Sequence, residues 1–190
     1  MSNLLAGTAA VSFDPRSICN LILDEADSAK RSITNLALQK LLYFAHGLHL
    51  VDTGKPLVTG FFEAWRFGPV HPVAYHAFKS AGAGPILFRA TIHDPFTREA
   101  ISVPECEDPN VRTRVGRIVR MYAGMTPGRL VEVSHAKGAP WQFTVDKART
   151  ETILGLRISD DVIMSRFKFH KVSIGSEPKH GEPREEAPFM

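Results

Sequence analysis

Between Thr34 and Leu50 the chain carries a run whose apolar residues leave almost no polar side. Leu36, Leu38, Leu41, Leu42, Phe44, Ala45, Leu48 and Leu50 spread over more than half of a helical circumference. A helix that apolar belongs at the centre of a core and needs neighbours on several sides. Thr34 is a good N-cap, and Ile33 before it can pack on Leu38, the spacing of a hydrophobic staple. Asp52-Thr53-Gly54 supplies the stop and Gly54-Lys55-Pro56 a turn.

The neighbours are announced by a repeated signal, a capping side chain followed by proline. Asp14-Pro15 opens a helix with Ile18, Leu21, Ile22 and Ala26 on one face, and the polar run Asp24 to Arg31 ends it. Asp108-Pro109 opens another, with Val111, Val115, Ile118, Val119 and Tyr122 on its inner face. Thr126-Pro127 opens a third, carrying Leu130 to His135. Pro72 to Lys79 reads as a short helix with Tyr75 and Phe78 inward. Ser159 caps a last one, with Asp160 and Asp161 in its first turn, where carboxylates favour the helix dipole. Ile86 to Ile92 and Glu99 to Val103 are expected as the strands of a small hairpin turning at His93 to Thr97. Phe61 to Trp65 reads as a short extended or irregular segment.

The sum is a predominantly α-helical α+β fold. It is expected as a single compact helical domain over residues 14–170, with a small β-hairpin. Residues 1–13 are expected to be flexible, and 171–190, rich in Glu-Pro and charge, to form a disordered tail.

An apolar share of 44% and a charged share of 23% are those of an ordinary soluble protein. Stretches such as Leu41 to Leu50 fall far short of the ~20 residues of a membrane span. Met1 to Val11 lacks the basic start and apolar run of a signal peptide, so a cytoplasmic location is expected. Cys19 and Cys106 then sit in a reducing compartment, one buried and one in a loop, and read as free thiols. The net charge of +3 is too small to choose a partner.

Catalytic patterns are missing from the sequence: there is no nucleophile elbow, no phosphate-cradling glycine loop and no HExxH. His46 and His49 stand three apart on the central helix, with His71, His76 and His135 elsewhere. Zinc needs three or four ligands with supporting carboxylates, and no acidic third ligand stands near the pair. They read as structural, with no metal and no cofactor expected. Arg112, Arg114, Arg117 and Arg120 lie opposite the apolar stripe of their helix, as a solvated face or as a patch that steers an acidic partner. A protein partner is preferred to nucleic acid, because no base-reading motif accompanies them. In Glu63-Ala64-Trp65-Arg66-Phe67-Gly68-Pro69-Val70, two large aromatics flank an arginine just before a Gly-Pro. That composition suits either a packed turn or an exposed binding cluster. Gln39 and Lys40, polar within the apolar helix, can reach out of the core on buried stems, or Gln39 can bond a nearby loop backbone at Gly68-Pro69 and so position the aromatic segment.

Three blocks in order carry a resemblance. Thr34-Asn35-Leu36-x-Leu38-Gln39-Lys40-Leu41-Leu42-Tyr43-Phe44-Ala45-x-Gly47 comes first. Glu63-Ala64-Trp65-x-x-Gly68-Pro69-Val70-x-Pro72 follows, and then Leu130-x-x-x-Ser134-His135 with Pro140-Trp141. Together they resemble the signature of the Panacea-domain family of SocA-like antitoxins, from about Asp14 to Phe169. The chain departs from it at Lys137-Gly138-Ala139, where relatives often carry a glutamate before Pro-Trp. The resemblance implies a cytoplasmic antitoxin, often associated with mobile elements, that binds and neutralises a cognate protein toxin. It also implies a proteolytic adaptor role, delivering the toxin to the ClpXP protease. On this reading Arg66, Phe67 and His71, with Arg112 and Arg117, are expected to contact the toxin. Gln39, Lys40, Glu63, Trp65, Gly68, Pro69, His135 and Trp141 are expected to be structural. Readings of other classes are a metal-dependent enzyme built on the histidines and a DNA-binding regulator using the Arg112–Arg120 helix face.

Overall fold

The computed structural model describes residues 12–150 and 156–170; the expected tail and most of the expected flexible start lie outside them. The apolar run becomes α2 (Asn35–Thr53), with the Thr34 hydroxyl accepting from the Ala37 amide and Gly54 closing the helix in the left-handed region. Its burial follows from its lack of a polar side. Leu38, Leu41, Leu42 and Tyr43 have no exposed surface at all, and each such side chain stabilises the fold by roughly 1.5–3 kcal/mol.

Around it stand α1 (Pro15–Ser28), α3 (Pro72–Phe78), α4 (Pro109–Tyr122), α5 (Pro127–Ser134) and α7 (Asp160–Arg166), all in contact with α2. The capping signals operate as read: Asp14, Asp108, Thr126 and Ser159 each accept an amide of the first turn. No helix among the described residues is long and apolar enough to cross a membrane.

A further helix, α6 (Pro140–Thr150), stands where only Pro140-Trp141 drew notice. No Ser, Thr, Asp or Asn precedes its proline. Its start is held instead by Gln142, whose Oε1 accepts from the Gly138 amide at 2.9 Å, one residue before the position a capping box would use.

The irregular segment resolves into β1 (Phe62–Trp65) and β2 (Gly68–Val70), paired antiparallel with Trp65 opposite Gly68. A two-residue strand, β5 (Arg157–Ile158), completes a sheet of order β2-β1-β5. The expected hairpin is present but short, as β3 (Thr91–His93) and β4 (Ala100–Ser102). It stops short because the Asn20 side-chain amide takes both main-chain groups of Ala90, at 2.8 and 3.0 Å, so Ala90 cannot pair onward.

Candidate protein-binding surface

The β1–β2 turn is carried by a row of polar side chains along α2, and these do not reach out of the core as expected. Asn35, Gln39 and Lys40 have no exposed surface. The Lys40 ammonium donates to the Pro69 carbonyl at 3.0 Å. Gln39 Oε1 accepts from the His71 amide at 3.0 Å, and its Nε2 donates to Asn35 Oδ1 at 3.1 Å. Asn35 donates in turn to the Tyr75 carbonyl. The bond from Gln39 to the backbone just after Gly68-Pro69 agrees with the second reading of that residue, whereas the inward course of Lys40 does not follow from the sequence. The tertiary structure makes them the clamp for the chain that follows β2, because that chain brings main-chain groups needing buried partners.

The other side of the turn is fixed by aromatics. Trp141 donates its indole N–H to the Trp65 carbonyl at 2.8 Å. Trp65 donates its own to Glu63 at 2.7 Å and meets Tyr75 edge-on. His135 stacks flat on Trp141, ring centroids 3.6 Å apart. Burial, with the Lys40 charge nearby, holds its imidazole well below the ordinary range, at about 4. At Gly68, φ is +98°, and a Cβ would overlap the Ser134 hydroxyl and the Lys40 stem.

On this base stand the two turn residues. Arg66 is exposed and Phe67 half-buried, with the guanidinium 5.3 Å from the Phe67 ring centroid. His71 does not join them. It is 1% exposed, its Nε2 sits 2.9 Å from the Thr59 carbonyl, and burial lowers its pKa. The proline after it starts α3 and carries the chain back into the core, so His71 lies beneath the surface it was expected to form.

Arg112 and Arg117 sit on α4, which packs on α1 and α2, whereas β2 packs on α2 and α5. Arg112, Arg117 and Arg120 are exposed, and Arg112 donates to the Cys106 carbonyl at 3.2 Å. Arg114 is half-buried and paired with Asp52. His46 faces Asp160 at 3.1 Å, a carboxylate 114 residues away that local reading does not reveal. Among the described residues no group of three or more His, Cys, Asp or Glu could hold a metal ion. Cys19 and Cys106 are free thiols, and both are buried.

The family model described as Antitoxin SocA-like, Panacea domain, matches residues 38–142, a stretch that includes Gln39, Lys40, the β1–β2 turn and Trp141. The chain belongs to this family. Antitoxin SocA of Caulobacter vibrioides (strain NA1000 / CB15N) is 48% identical over 177 residues, covering 93% of this chain and 94% of that protein. No solved structure matches the chain. For this Panacea domain, then, the turn from Glu63 to Val70 is fixed on one side by Lys40 and Gln39 and on the other by Trp141, with Arg66 exposed and Phe67 half-buried at its tip.

Proposed function

We propose that this protein is a cytoplasmic antitoxin, one that binds and neutralises a cognate protein toxin. The observation that carries the reading is the 48% identity to Antitoxin SocA along nearly the whole of both chains. The geometry is consistent with it. A preorganised turn offers an arginine against an aromatic ring, a composition enriched at interfaces, and it loses little entropy on binding because its base is already ordered. The exposed α4 arginines give a second patch, suited to steering an acidic partner. The adaptor role implied by the Panacea resemblance, delivery of the toxin to ClpXP, is the finer form of the same proposal.

The experiment is co-expression of the chain with the protein encoded beside it. We expect the chain to relieve growth inhibition and to co-purify with that protein. Arg66→Ala and Phe67→Ala should weaken co-purification at least tenfold while leaving the thermal melt unchanged. Retained binding in both variants would move the interface elsewhere, and a harmless neighbour that never associates would overturn the antitoxin reading. Adding ClpXP to the purified complex tests delivery: turnover of the toxin only when the chain is present supports it.

A further inference from the structure

The β3–β4 hairpin is an open ladder. In an antiparallel pair, hydrogen-bonded and non-bonded residue pairs alternate along the strands. The Asp94 amide donates to the Glu99 carbonyl at 2.9 Å, and Arg98, at φ +58°, supplies the bulge that sets this phase. Ile92 and Ile101 are therefore the next bonded pair, and Ala100 opposite His93 and Ser102 opposite Thr91 are non-bonded pairs. The amide and carbonyl of Ala100 and Ser102 thus point away from β3, into solvent. All three residues of β4 are exposed, whereas Ile92 of β3 leans on the core.

Natural edges are usually blunted by charge or proline, or covered. This one has its proline, Pro104, only beyond the end of β4, and it keeps Ile101 at 43% and Phe96, in the turn, at 93% exposure. Its charge is one-sided. Residues 99–108 hold Glu99, Glu105, Glu107 and Asp108 with no lysine or arginine. Asp108 is occupied as the α4 cap. The three glutamates are exposed and form no ion pair among the described residues. The bases nearby are Arg98, just before the run, Arg112, which donates to the Cys106 carbonyl, and Arg89, which lines the adjoining cavity and pairs with Asp24 and Asp27.

Beyond Ser102 the ladder forks, and the fork encloses a cavity of about 260 Å³ lined by Ser17, Asn20, Ala90, Ser102, Val103 and Cys106 among others. Ser17 is 5% exposed, and its hydroxyl finds no hydrogen-bond partner among the described residues. A strand added along β4 would reach this cavity at its end, with room there for one of its side chains.

We propose that the free edge of β4 pairs with an extended segment of the partner protein, one that carries basic residues for Glu99, Glu105 and Glu107 and apolar ones for Ile101 and Phe96. Main-chain bonds supply affinity in such strand addition, and side chains supply selectivity. This assignment rests on the antitoxin reading, for which it names an interface distinct from Arg66–Phe67.

The test uses the full chain and the protein encoded beside it, in a quantitative binding assay. Ser102→Pro removes an outward amide that the ladder does not use, and the double variant Glu105→Lys with Glu107→Lys reverses the edge charge without touching the fold. Each is expected to weaken binding at least tenfold with an unchanged melt. The Ala100 and Ser102 amides are expected to become protected from hydrogen exchange in the complex. If the unaltered chain binds and both variants stay within twofold of it, the edge assignment is wrong and the antitoxin reading stands. If the unaltered chain does not bind, both are wrong. Concentration-dependent self-association abolished by Ser102→Pro would make a second copy of the chain the occupant and overturn the partner assignment.

Discussion

The Lys40 ammonium and the Pro69 carbonyl meet at 3.0 Å inside the protein, joining the centre of α2 to the strand 29 residues later. A polar group buried that deeply needs partners in place of water, and the Pro69 carbonyl is one of them. Lys40→Ala removes the donor, leaves a buried carbonyl unpaired and opens a void. We expect a loss of about 2–4 kcal/mol in urea unfolding. A loss below 0.5 kcal/mol would mean that the clamp contributes nothing.

Two glycines are required by contact. Gly68→Ala places a methyl on the Ser134 hydroxyl and the Lys40 stem at a φ of +98°, and we expect it to cost upwards of about 2 kcal/mol. Gly47→Ala drives a methyl into the Phe167 ring, which must shift, and we expect a cost upwards of about 2 kcal/mol. Gly54→Ala is the comparison: it shares a positive φ but meets no atom within 4 Å, so it should cost about 1 kcal/mol. Thermal melts of the three variants check the order.

Stability should fall on the acid side. His135 titrates at about 4 in the fold, and His71 and His170 are also lowered, in each case chiefly by burial. The unfolded chain binds these protons near pH 6.5, whereas the folded chain resists them. The histidine contribution is therefore flat above about pH 7 and declines as pH falls from about 6.5 towards 4, by on the order of 3 kcal/mol from His135 alone. His135→Phe keeps a ring against Trp141 and removes the proton site, so its acid decline should be shallower. Urea midpoints measured from pH 4 to 8 show whether it is.

Trp141 separates packing from hydrogen bonding. Trp141→Phe keeps an aromatic beside His135 but loses the bond to the Trp65 carbonyl, which should cost about 1–2 kcal/mol. The β1–β2 amides should then exchange faster than those of α1. Equal exchange in both elements would show that the turn is held by other contacts.

The sequence carried the helices well where a cap and a proline stood together, because capping is settled within three or four residues. The start of α6 is not legible in the sequence, because no capping hydroxyl or carboxylate precedes Pro140 and the bond from Gly138 to Gln142 takes its place. The β3–β4 hairpin is legible in its turn residues, but its shortness is not, because the residue that ends it, Asn20, lies 70 positions away. The site was legible in part. Trp65-Arg66-Phe67-Gly68-Pro69 stood out by composition, yet nothing local told the exposed Arg66 from the buried His71 or showed that Lys40 points inward.

What the sequence by itself determined is the central helix, the caps around it, the helix-rich class and the family signature. All of these rest on neighbouring residues and on the period of apolar side chains along a helix. Only the tertiary structure decided which polar residues are buried, which carbonyls they satisfy, and which main-chain edge is left open. Those outcomes depend on groups far apart in the chain, and a buried charge or a free strand edge has no meaning until the distant partner is in place or missing.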